Sequence, residues 1–269
     1  MQRAPAVSGQ FYPGDTTSLL EMLSSFCPRQ GGEERLLGLM VPHAGYIYSG
    51  AIAGRVYDRA AIPDRVILIG PNHHGVGASA AVYATGSWMT PLGQILIDEP
   101  LAESLLKATP LLQSDAVAHR FEHSLEVQVP FIQYLNPRAT LVPICLGHQQ
   151  LSSLFEIAAA IASVIQKNPE PILLIASTDM THFESAESAA LKDRMALDCV
   201  ETLDAERLYK TVVQQRISMC GFMPTVVLLK TAELLGASDG KIVAYGNSGD
   251  VTDDYKNVVA YAGAVIEAV

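Results

Sequence analysis

Charge is scarce in this chain: Asp, Glu, Lys and Arg make up 17% of its 269 residues, whereas 49% are hydrophobic. Intrinsic disorder needs the opposite balance, a coiled coil needs charged heptads, and collagen needs a glycine triplet repeat, so all three are excluded. Basic residues are in short supply as well. The 18 Lys and Arg against 28 Asp and Glu leave a formal charge of −10. That field repels phosphate, so neither nucleic acid nor an anionic membrane is an expected partner. The four cysteines have no paired spacing and do not make a disulfide scaffold. No apolar stretch reaches the roughly 18 residues of a membrane span. The segment Met1–Val7 lacks the apolar core of a signal peptide. A soluble protein in a reducing cytoplasm is the expectation. With no fixed-period repeat and no linker-like change of composition, residues 1–269 read as a single domain, near the upper size for one hydrophobic core.

What the chain does contain is a set of short apolar runs, each closed by polar residues. Leu36–Val41 ends at Pro42-His43, Val66–Gly70 ends at Pro71-Asn72-His73-His74, and Ile172–Ala176 ends at Ser177-Thr178-Asp179-Met180-Thr181-His182. Unalternating runs of this length suit strands buried on both faces. Leu141–Leu146 is a weaker member, because Pro143 predicts an edge strand or a bulge.

Helical periodicity fills the intervals. Ser153-Leu154-Phe155-Glu156 reads as a capping box ahead of a face made by Leu154, Ile157, Ile161, Val164 and Ile165. Further helices are predicted from Asp98-Glu99-Pro100, from about Ser185 toward Leu203, from Asp204 through Val213, and after Cys220-Gly221 with Leu234-Leu235 turned inward. Ile242–Tyr245 and Val258–Tyr261 look like strands flanking a polar loop. Alternating strands and helices indicate an α/β fold with a central, mostly parallel sheet flanked by helices.

In such sheets ligands bind beyond the carboxyl ends of the strands. Three separate buried strands deliver histidine, or aspartate plus histidine, to that edge. A shared histidine site can bind a metal, move protons, or do both. His43 and His73 are the best ligand candidates, each following its strand through a proline-containing turn. His74 diverges from His73 in extended backbone and reads as a supporting or structural residue. On a helical turn Asp179 and His182 share a face, pairing a carboxylate with an imidazole for proton transfer.

Cys220 precedes a predicted helix, where amide donors and the dipole lower a thiol pKa. Cys27, Cys145 and Cys199 lie in apolar segments and read as buried spectators. In Glu122–Phe131, a helix places Glu122 and Glu126 one turn apart, and a solvated acidic face weighs evenly against a functional role. His119 and His148 lie outside any constellation and read as structural.

Six segments, in order and spanning nearly the whole chain, resemble the signatures of the Memo family. They are Arg3 through Pro13 (RAPAVSGQFYP), PHAGYIYSG from Pro42, GPNHH from Gly70, EHSLEVQVPF from Glu122, STDMTH from Ser177, and Met219-Cys220-Gly221. Prokaryotic members are described as component B of an AmmeMemoRadiSam system, which implies a functional link to AMMECR-type and radical S-adenosylmethionine proteins. A human member is a mediator of cell motility. The family's fold is similar to class III extradiol, LigB-like, non-haem iron dioxygenases. The resemblance implies metal ligation by His43, His73 and Cys220. It places His182 as the acid–base histidine with Asp179 beside it, and gives His123 and Glu126, which fall within a family motif, supporting roles like the one read for His74.

Extradiol enzymes use two histidines and a carboxylate on iron. Here a thiolate takes the place of the carboxylate, so ring cleavage does not carry over. The expected cofactor is a metal ion, iron or copper with zinc as a third option. The expected activity is oxidoreductase-like chemistry on an unknown small molecule. The alternative is a non-catalytic module that uses the same pocket, with Tyr46 and Tyr48 beside it, to bind a peptide or protein. A third option is thiol catalysis by Cys220 with His182 as base.

Overall fold

The computed structural model describes residues 1–29 and 31–268. Its strands begin with β1 (Gln2–Arg3), β2 (Leu36–Val41), β3 (Arg65–Pro71), β4 (Ala80–Val82), β5 (Ser87–Thr90) and β6 (Gly93–Ile97). They continue with β7 (Gln113–Ser114), β8 (Thr140–Leu146), β9 (Ile172–Ser177), β10 (His182–Glu184), β11 (Gly240–Asn247) and β12 (Val258–Glu267). The first helices are α1 (Thr16–Phe26), α2 (Tyr46–Tyr57), α3 (Glu99–Ala108), α4 (Val129–Leu135) and α5 (Leu151–Lys167). After them come α6 (Ala186–Glu201), α7 (Ala205–Gln215), α8 (Phe222–Leu234) and the short α9 (Gly249–Thr252).

One mixed sheet runs in the order β1-β5-β6-β8-β3-β9-β2-β12-β10, with β11 paired to β12 and β4 to β8. Its centre, β8-β3-β9-β2, is parallel throughout. The antiparallel strand β12 closes it against β2. Successive residues of the central strands face opposite layers, as strand geometry demands. Leu174 and Ala176 of β9 join a core with α3, α5, α6, α7 and α8, while Leu173 and Ile175 join a second core with α1, α2 and α4. Both faces are covered, so the runs do not alternate. Each fully buried Leu or Ile in them stabilises the fold by about 1.5–3 kcal/mol.

The expected α/β architecture is therefore present, with four local corrections. Pro143 sits in an interior strand, not at an edge. Strand β6 pairs with Thr140 and Leu141, β4 pairs with Ile144 to Leu146, and the residue without an amide proton falls where one neighbour gives way to the other. The capping box is not used: α5 starts at Leu151 behind Gln150, and Glu156 instead accepts a bond from Thr109 Oγ1 at 2.6 Å. Leu234 is 41% exposed because α8 has reached its last turn there. The segment Glu122–Phe131 is not one helix; a 3-10 turn at Glu126–Gln128 leads into α4, with Pro130 in its first turn where the missing amide costs nothing. Asp98, Ser185 and Asp204 cap α3, α6 and α7 as expected, each accepting a backbone amide three residues on.

No helix among the described residues is long and apolar enough to cross a membrane. His119 has the structural role expected of it: it is fully buried, and its Nε2 lies 3.1 Å from the Ala81 carbonyl. Burial lowers its pKa from 6.5 to about 4, the bond to Ala81 offsetting only part of that. A histidine depressed in the folded state contributes stability that is complete above its unfolded value of 6.5 and lost as pH falls toward 4. We expect His119→Phe to remove roughly 2–3 kcal/mol of the stability difference between neutral and acidic buffer. Denaturant midpoints measured across that window check it; an unchanged pH slope in the variant refutes it.

Candidate metal centre

Because β3, β9 and β2 are parallel neighbours, their carboxyl ends open on one edge of the sheet. His43 follows β2, His73 follows β3, and Asp179 follows β9, each two residues past its strand. The ring centroids of His43 and His73 are 5.3 Å apart, and a third imidazole, His123, lies 4.6 Å from His73 and 5.5 Å from His43. One ligand nitrogen from each of the three lies within 4.8 Å of the other two. The sulfur of Cys220 is 3.2 Å from His43 Nε2. His43 and His73 come together as expected, but the third member of the group is His123, expected only to support them; the Cys220 sulfur lies against His43 and is not part of that group.

Each ring is held from behind. Glu122, fully buried, accepts from His73 Nδ1 at 2.8 Å and from the His73 amide at 2.7 Å, and takes the Ser124 amide as well. Burial opposes its ionisation, yet the His73 ring and these amides outweigh it and hold the carboxyl well below its ordinary range. His43 Nδ1 lies 3.0 Å from Ser177 Oγ. Phe11 packs on His123 with ring centroids 4.9 Å apart. Burial, reinforced by the neighbouring imidazoles, pushes His43 well below its ordinary pKa; burial likewise lowers His123 to about 4. Neutral imidazoles keep the lone pairs that ligation requires. Three imidazoles running from the buried His43 to the exposed His73, with a thiol against the first and a carboxylate behind the second, fit a transition-metal ion.

The acidic pair is not a solvated face. Glu122 and Glu126 are 0% and 1% exposed. Glu126 accepts four bonds from the amino-terminal segment: Arg3 Nη1 at 2.6 Å, the amides of Ala6 and Val7, and Tyr12 Oη. It supports the site by tying that segment, Phe11 included, against the His123 loop.

Other expected roles change. Asp179 and His182 do not share a helical turn, because His182 opens β10. Asp179 Oδ1 accepts the His43 amide at 2.7 Å, while His182 Nδ1 lies 2.7 Å from the Met180 carbonyl. Met180 rather than Asp179 orients that ring. Burial raises Asp179 to about 6, against the opposing pull of the His43 amide. His74 is exposed, with Nε2 2.9 Å from the Phe121 carbonyl, outside the imidazole group. Tyr46 is buried with its hydroxyl on the Val127 carbonyl, whereas Tyr48 is 37% exposed.

Cys220 departs furthest from expectation. Its thiol pKa is pushed well up, first by desolvation and then by the Asp179 carboxylate; the Asp179 amide, 3.3 Å from Sγ, only partly offsets this. Helix α8 begins beyond Gly221, whose amide is given to Thr178 Oγ1 at 3.0 Å. Gly221 is required here by close approach: a Cβ on it would stand 2.3 Å from the Ser177 carbonyl oxygen. Gly221→Ala should therefore move Cys220 away from His43 and cost about 1–3 kcal/mol. Thermal unfolding together with metal content checks this; wild-type values for both would refute the tight fit.

Glu122 belongs to the site without having been expected there, and so do Arg3, Gln128 and Ser177. Glu122 carried one usable signal, a carboxylate directly beside a histidine in a segment rich in Leu and Val.

These features define a layered α/β protein whose strand-end loops gather a histidine group able to hold a metal ion. The comparisons place it more narrowly. The family model described as Memo-like protein matches residues 3–265. A MEMO1 family protein of Aquifex aeolicus is 42% identical over 265 residues, covering 98% of each chain. Another, from Methanocaldococcus jannaschii, is 38% identical over 284 residues, covering 98% of this chain and 99% of that protein. The chain belongs to the Memo family. In structure it is similar to an uncharacterized protein from Escherichia coli K12, with a TM-score of 0.56 at 13% identity, covering 86% of this chain and all of that one. That likeness concerns the fold alone.

Proposed function

We propose that this chain is a metal-dependent, oxidoreductase-like protein acting on a small molecule, with His43, His73 and Cys220 as its protein ligands. The observation that carries the reading is the gathering of His43, His73 and His123 nitrogens within 4.8 Å, with the Cys220 sulfur 3.2 Å from His43. Iron or copper suits imidazole with thiolate, and zinc is the redox-silent alternative. A bound iron or copper ion would supply Lewis-acid and one-electron chemistry. The chain's own residues supply the rest. Glu122 orients His73, Ser177 orients His43, and Asp179 pins the His43 backbone. With its Nδ1 proton on the Met180 carbonyl, His182 keeps Nε2 free to accept a proton from a bound molecule. A reducing compartment such as the cytoplasm keeps Cys220 available as a ligand.

Elemental analysis of tag-free protein purified anaerobically tests this reading. About one equivalent of iron, copper or zinc per chain is expected. Protein that carries none, and takes up none on reconstitution, would sink it.

One observation favours a binding module instead. Phe183, next to His182, is 77% exposed and holds a left-handed φ of 59°, a strained posture for an aromatic residue. Under this reading the aromatic side chain is offered to a peptide, and metal-free protein keeps full affinity. Loss of binding on chelation would return the argument to the metal.

A further inference from the structure

The hydrogen bonds behind His43 form a chain whose donors and acceptors are fixed at both ends by backbone carbonyls, which only accept. Gln128 is fully buried between Pro42, Tyr57 and Ser177. One of its amide hydrogens goes to the Pro42 carbonyl at 2.9 Å, and its Oε1 accepts from Tyr57 Oη at 3.0 Å, which settles which end of the amide is nitrogen. The second amide hydrogen then points to Ser177 Oγ at 2.9 Å. Ser177 has one hydroxyl proton, and it is committed to the Ser124 carbonyl at 2.6 Å. The remaining contact of Ser177 Oγ is His43 Nδ1 at 3.0 Å. Since the serine has no proton left to give, the histidine must be the donor.

We infer that Gln128 and Ser177 are positioning residues that lock His43 in the Nδ1-protonated tautomer, so that its Nε2 lone pair is directed at Cys220 and the metal position. The inference deepens the proposed metal centre and rests on His43 being one of its ligands. Without the relay, His43 has good reason to reverse: Nε2–H would find Cys220 Sγ at 3.2 Å and Asp179 Oδ2 at 4.0 Å. The protonated nitrogen would then be the one required for ligation. Supporting partners of this kind change metal affinity by about 10–100-fold.

Long-range proton–nitrogen NMR on metal-free, uniformly 15N-labelled protein reads the tautomer directly and needs no variant. Wild-type His43 is expected to carry its proton on Nδ1; a proton on Nε2 overturns the relay. Ser177→Ala is expected to move the proton toward Nε2 and to weaken Co(II) binding about 10–100-fold, while Ser177→Thr restores both. An unchanged tautomer in Ser177→Ala also overturns the relay, whatever happens to cobalt. A reversed tautomer with unchanged cobalt affinity upholds the relay and refutes His43 as a ligand, so the two readings fail separately.

Discussion

Glu126→Ala is expected to destabilise the fold by roughly 3–5 kcal/mol, the range for removing one partner of a buried ion pair. The cost comes less from the lost attraction than from what is stranded. Arg3 is only 6% exposed, and its Nε and Nη2 donate to the carbonyls of His119 and Glu122, neither of which carries a charge. Without Glu126 it keeps a buried charge without a counterion, and the amides of Ala6 and Val7 and the Tyr12 hydroxyl lose their acceptor together. For a chain of this length the shift in Tm is about 10 °C. Arg3→Met combined with Glu126→Ala should cost clearly less than the sum of the single changes, because the pair then leaves together. Additive effects would mean that the two groups are not coupled. The variant should also lose metal, since the segment carrying Phe11 no longer braces His123.

Arg3 and Glu126 also show why part of this molecule could not be read from its sequence. Strands β2, β3 and β9 announce themselves because burial on both faces makes them continuous apolar runs, and their order in the sheet brings His43, His73 and Asp179 to one edge. Helix α2 is silent for the opposite reason. Its glycines at 50 and 54 exist so that Phe26 can approach; a Cβ at either would stand about 2.4–2.5 Å from that side chain. Such small residues erase the apolar periodicity that marks a helix. In the site, a residue's role was legible where one short segment carried both ligand and turn, as at His43. It was hidden where the role depends on a distant partner. Glu126 looks like a surface carboxylate until Arg3 reaches it, and Gln128 looks like any polar residue until Pro42, Tyr57 and Ser177 surround it. The resemblance implies only a supporting role for His123, and a single helix over Glu122–Phe131 offers no reason to raise it. The 3-10 turn that replaces the helix starts after His123 and leaves the ring free to stack on His73. The thiol pKa of Cys220 went the wrong way because proximity to a helix start was weighed without the desolvation and the Asp179 carboxylate found there.

His43→Ala should reduce metal retention more than any other single substitution. Of the four side chains His43, His73, His123 and Cys220, it is His43 that touches all three others. A structural zinc site with four donors is worth about 10–16 kcal/mol, so one donor carries roughly 3–4 kcal/mol, or several hundred-fold in affinity. Titration with Co(II) after chelation measures this, and circular dichroism confirms that each variant folds. The remaining ligands then sort by comparison. If His43, His73 and Cys220 hold the ion, Cys220→Ser should approach the loss seen for His43→Ala and abolish the sulfur-to-cobalt charge-transfer band, while His123→Ala falls well short of it. If the three imidazoles hold it, the order of Cys220 and His123 reverses. Glu122→Gln should lie between the wild type and the ligand variants, about 10–100-fold weaker, because the amide cannot match the carboxylate that His73 Nδ1 now faces at 2.8 Å. Full cobalt affinity in both Cys220→Ser and His43→Ala would remove the metal from this pocket and leave the clustered imidazoles to bind something else.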